Sequence, residues 1–88
     1  MTELKKILII DDEDDIVTYL STFLSDNGFN TISANNGKDG VQKAIEENPD
    51  LITLDVSMPE ESGVRALRDL QTNEVTKNTP VIIVTGVS

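Results

Sequence analysis

Apolar positions along this chain come in blocks whose spacing switches between two kinds. Ile7-Leu8-Ile9-Ile10 is a short, unbroken, mostly β-branched run, the pattern of a strand covered on both faces, and the spacing predicts strand one from Lys5 to Ile10. From Glu13 to Asp26 the period changes: Ile16, Leu20, Phe23 and Leu24 recur at helical intervals, and Asn27-Gly28 supplies a stop. Phe29 to Ala34 reads as a second strand and Asn35-Asn36-Gly37 as a turn. Asn36 is placed to cap a helix from Lys38 to Glu47, in which Val41, Ala44 and Ile45 share one face. Asn48-Pro49 ends that helix, and strand three follows from Asp50 to Leu54. Met58 to Gly63 reads as a loop, and Val64, Leu67 and Leu70 mark a third helix ending near Gln71. Thr72 to Thr79 is polar and reads as a loop. Pro80-Val81-Ile82-Ile83-Val84 is strand four, running into Thr85-Gly86.

The order β-α-β-α-β-α-β predicts an α/β fold in which parallel strands are joined by right-handed helical crossovers. Strands one, three and four lack clean alternation, as expected of a sheet flanked by helices on both faces. Ligands of such sheets gather at the carboxyl ends of the strands, near a switch in strand order. Asp11, Asp12, Asp55 and Thr85 all fall there. No internal repeat, low-complexity tract or linker interrupts the 88 residues, which make one small domain.

Sixteen acids against seven bases give a net charge of −9. That balance argues against binding to nucleic acid or to an anionic membrane, since both need clustered Lys and Arg. With no cysteine and no histidine, disulfides, zinc sites and histidine acid–base catalysis are excluded. No apolar run approaches membrane-spanning length, and the first six residues lack the apolar core of a signal peptide, so a cytoplasmic location is expected.

The acids are not spread evenly. Five in a row, Asp11-Asp12-Glu13-Asp14-Asp15, follow strand one directly. Asp14 and Asp15 suit the first turn of a helix, where negative charge meets the helix dipole. Asp11 and Asp12 lie at the strand end, where folding alone does not call for them. Asp55 repeats the layout at the end of strand three. Hard oxygen ligands of this kind suit Mg2+ or Mn2+. A carboxylate held beside such a cation can also act as a nucleophile and form an aspartyl-phosphate. The Thr85 hydroxyl is able to bond a phosphoryl oxygen, and Gly86 leaves room for the group. Spacing does not say which aspartate is the nucleophile and which binds only metal.

Taken together, Ile7-Leu8-Ile9-Ile10-Asp11-Asp12-Glu13, Leu54-Asp55-Val56-Ser57-Met58-Pro59, Gly63 and Pro80-Val81-Ile82-Ile83-Val84-Thr85-Gly86 resemble the receiver domain of bacterial response regulators, from about Lys6 to the last residue. The resemblance implies a flavodoxin-like sheet of order 2-1-3-4. It implies that Asp55 accepts a phosphoryl group from a phosphohistidine on a sensor histidine kinase or phosphotransfer protein. It implies that Asp12 and Asp55 bind Mg2+ through their side chains, Asp11 largely through water and Ser57 through its backbone carbonyl. Thr85 would be the switch hydroxyl, and Ser57 and Val87 would tune how long the phosphorylation lasts.

The resemblance further implies that residues 1–88 form an incomplete receiver. The family's fourth helix, fifth strand with its lysine and aromatic switch partner, and fifth helix are missing from these 88 residues. Strand four is then expected to be an open edge, and the chain is expected to self-associate, to swap elements, or to be only part of the natural protein. Two other functions compete with the phosphorylation switch. A metal-dependent phosphatase with an aspartate nucleophile commonly has a second Asp two residues on, and Ser57 stands there instead. A binding-only or inactive fragment keeps the pocket without using it.

Overall fold

A computed structural model of the chain describes residues 4–58 and 62–84. Its elements run β1 (Lys6–Ile10), α1 (Asp14–Asp26), β2 (Asn30–Ala34), α2 (Gly37–Glu47), β3 (Leu51–Asp55), α3 (Ser62–Thr72) and β4 (Val81–Val84). The four strands form one parallel sheet of order β2-β1-β3-β4. This is the flavodoxin-like arrangement, with the order reversing between β1 and β3.

The core follows from the alternation of side chains along each strand. Leu8 and Ile10 of β1 and Ile52 and Leu54 of β3 sit on one face, with Ala44 of α2, Ala66 and Leu70 of α3, and Met58. All of them are buried. Ile7 and Ile9, also buried, are directed to the opposite face, where α1 lies against β1 and β2. That helix buries none of its residues fully, and Tyr19 and Phe23 stack on its surface with ring centroids 6.4 Å apart. Ile82 and Ile83 of β4 are exposed on opposite faces of the sheet, at 51% and 42%.

Local signals act as their chemistry predicts. The Asn36 side chain accepts from the Asp39 N–H at 2.8 Å, and its amide donates to the Asp39 carboxylate at 2.9 Å, a reciprocal cap on α2. Gly28 takes the left-handed conformation after α1 (φ 90°), and Asn48 does the same after α2 (φ 45°). Predicted element ends differ from the observed ones by a residue in most places. Strand three starts and ends one residue later than predicted, so that Asp55 is its last residue. Helix α3 begins at Ser62, two residues before its first predicted apolar position.

The stretch from Thr72 to Thr79 is more than a polar loop. Thr76 is 1% exposed, and its hydroxyl donates to the Leu70 carbonyl at 2.8 Å. It thereby satisfies an orphan acceptor at the end of α3. Pro59, Glu60, Glu61, Thr85, Gly86, Val87 and Ser88 lie outside the described residues.

Candidate metal and phosphoacceptor centre

Parallel pairing in register builds the site. Ile10 pairs with Leu54, so the residues that follow each, Asp11 and Asp55, leave neighbouring strands at the same end of the sheet. The Asp11 N–H donates to the Ala34 carbonyl at 3.1 Å and fixes the backbone there. One carboxylate oxygen from each of Asp11, Asp12 and Asp55 lies within 4.8 Å of the others. The three predicted acids therefore converge. Asp14 and Asp15 do not join them; they occupy the exposed first turn of α1, as the helix dipole favours.

Asp11 and Asp55 are each only 4% exposed, while Asp12 faces solvent. Burial pushes the Asp11 carboxyl above its ordinary 3.8, and the neighbouring charges of Asp55, Asp12 and Glu13 push the same way. The Glu13 N–H, donating to Asp11 Oδ1 at 2.9 Å, opposes that rise. Among the described residues the ion pairs are Lys6–Glu47 and Lys77–Glu74, so no basic side chain neutralises the trio. A buried cluster of like charges without a counter-charge suits a cation. An octahedral Mg2+ shell spans about 4.2 Å between opposite oxygens. Three carboxylate oxygens within 4.8 Å fit such a shell when water supplies part of it.

Asp55 is held on one side by a single residue. Its Oδ1 accepts from the Ser57 N–H at 2.8 Å and from the Ser57 hydroxyl at 2.6 Å. The resemblance implies a backbone carbonyl contact to metal and a tuning role for Ser57, and neither includes this side-chain contact to Asp55. The signal was present in the Asp-x-Ser spacing, which favours local side-chain-to-backbone turns. Gly63 has a plain reason to be a glycine. A Cβ there would lie 2.5 Å from both the Asp55 carbonyl oxygen and the Val56 Cα, so the first turn of α3 approaches the end of β3 too closely for any side chain. Met58 is buried in the core beneath the site. The open groove of about 420 Å3 between α2 and α3 is lined by none of the three aspartates.

A parallel α/β sheet that gathers carboxylates at the carboxyl ends of adjacent strands places a candidate divalent-cation site where ligands of such sheets bind. The family model described as the response regulator receiver domain matches residues 7–88, and the chain belongs to that family. It is 40% identical over 86 residues to the regulatory protein AtoC of Escherichia coli, covering 98% of this chain and 18% of AtoC. It is 40% identical over 80 residues to protein PilH of Pseudomonas aeruginosa, covering 91% of this chain and 66% of PilH. Among solved structures, the chemotaxis protein CheY4 of Vibrio cholerae superimposes with a TM-score of 0.89 at 28% identity, covering 98% of this chain and 72% of that one. The N-terminal domain of a response regulator receiver protein from Methanoculleus marisnigri gives 0.87 at 31% identity, covering 92% and 66%. The chain thus spans 18% of AtoC, 28% of the Bacillus subtilis regulator PhoP and 66% of PilH.

Proposed function

We propose that this receiver domain takes a phosphoryl group onto Asp55 from a phosphohistidine of a sensor histidine kinase or phosphotransfer protein. The convergence of Asp11, Asp12 and Asp55 at adjacent strand ends carries the proposal. A carboxylate oxygen of Asp55 attacks phosphorus. The oxygen–phosphorus bond forms as the phosphorus–nitrogen bond breaks, and the electron pair stays with the departing imidazole. Asp12 and Asp55 hold the cation through their side chains, Asp11 acts largely through water, and the backbone carbonyl of Ser57 completes the protein's share. A bound Mg2+, or Mn2+ in its place, neutralises charge on the transferred group. Thr85 is the hydroxyl that responds to the phosphoryl group.

The domain acts as a phosphoaccepting switch rather than a turnover enzyme, since no acid stands two residues after Asp55. The acidic balance supports a cytoplasmic protein partner over nucleic acid or membrane. No helix among the described residues is long and apolar enough to cross a membrane. The exposed faces of β4 support a further contact, with a second copy of the chain pairing along this edge.

Incubation with Mg2+ and acetyl phosphate tests the acceptor. Intact-mass analysis should show one added phosphoryl group that hydroxylamine removes, and Asp55→Asn should abolish it. Incorporation that survives Asp55→Asn would overturn the assignment.

A further inference from the structure

The acceptor reading, on which this inference rests, gives Asp55 two tasks, holding a cation and attacking phosphorus. A carboxylate oxygen offers about two acceptor directions, four for the whole group. On Oδ1 both are taken by Ser57, whose N–H donates at 2.8 Å and whose hydroxyl donates at 2.6 Å. Among the described residues Oδ2 accepts no hydrogen bond and is open to an incoming atom. A cation and a phosphorus atom arriving together crowd a single oxygen, and each is better served by an oxygen of its own.

The two donors differ in mobility. The N–H belongs to the backbone of the turn that leaves β3, where Gly63 packs against Asp55 and Val56. The hydroxyl sits on a single rotatable bond of an exposed residue, with water ready to replace its partner. We infer that the Ser57 hydroxyl is a latch on the acceptor. It occupies Oδ1 in the metal-free domain and swings off when Asp55 presents one oxygen to the cation and the other to phosphorus. The hydroxyl keeps its proton throughout and exchanges one acceptor for another. Ser57 is therefore a positioning residue that acts through Asp55.

The latch stabilises the metal-free state and opposes the loaded one, so removing it has opposite effects on the two. Ser57→Ala should lower the melting temperature in chelator, where the hydrogen bond to the carboxylate is lost. The same variant should bind Mg2+ about five-fold more tightly by calorimetric titration, because the net worth of a charge-assisted hydrogen bond is divided with solvent at an exposed residue. Ser57→Thr keeps the hydroxyl and should bind Mg2+ more weakly than Ser57→Ala. At sub-saturating Mg2+, phosphoryl uptake from acetyl phosphate should rise in Ser57→Ala alone. Equal or weaker Mg2+ binding by Ser57→Ala, or an equal shift in Ser57→Thr, would overturn the latch. Tighter Mg2+ binding without any phosphoryl uptake in parent or variant would uphold the latch on the cation and sink the acceptor reading.

Discussion

Without a cation, the Asp11 carboxylate gives up its proton reluctantly, because it is buried and faces the charges of Asp55, Asp12 and Glu13. Its folded-state pKa lies above the unfolded 3.8, so between the two values the folded chain holds more protons than the unfolded one. Stability therefore falls as pH rises through that window and stays lower above it, while below 3.8 the penalty vanishes. Asp11→Asn should stabilise the metal-free domain at about pH 7 and leave it unchanged at about pH 3. The gain at the higher pH should appear as a raised midpoint in thermal melts run in chelator, absent at the lower pH. Added Mg2+ should stabilise the parent and do little for the variant, which lacks one of three carboxylates. The acids of this site were legible because like charges crowded at a strand end have no role in folding. The Ser57 hydroxyl was not, because a serine in a loop carries no such contradiction. Its bond to Asp55 depends on the turn that follows β3, which the Asp-x-Ser spacing favours without fixing where the hydroxyl points.

The contact between α3 and the end of β3 is set by the missing side chain of Gly63. In Gly63→Ala the new Cβ meets backbone atoms at 2.5 Å, and backbone cannot rotate away. In Gly40→Ala the Cβ meets the Ile10 side chain at 2.6 Å, and that side chain has other rotamers. Gly63→Ala should cost about 2–4 kcal/mol in urea denaturation and Gly40→Ala less. Only the former should also weaken Mg2+ binding, since relief requires the Asp55 backbone to move. Helix and strand identities were legible throughout, because short unbroken β-branched runs bounded by turn residues contrast with helical spacing sustained over ten residues or so. Their ends were less so. The apolar run of strand three stops at Leu54, but hydrogen bonding to its neighbours carries the strand through Asp55. Thr76 read as loop because its burial depends on the Leu70 carbonyl, six residues away and presented only once α3 has formed.

The strand order of the whole sheet was not contained in periodicity; it came from the resemblance, and the fold agrees with it. What periodicity does explain is the uneven cover. Helices α2 and α3 pack on one face, α1 on the other, and β4 carries exposed Ile82 and Ile83 at the end of the described sheet. Sedimentation velocity across a concentration series should show reversible association of this chain, reduced by Ile82→Lys, which places a charge on the edge strand. A monomer at every concentration would remove the proposed contact between copies. The central position of β1 has another consequence. It pairs with β2 on one side and β3 on the other, so it leaves the ribosome before either partner strand has been made. During synthesis Ile7–Ile10 is a bare sticky segment, and the acids that follow it immediately are gatekeepers against aggregation. One short stretch of carboxylates thus keeps the nascent polypeptide soluble before it serves the finished domain.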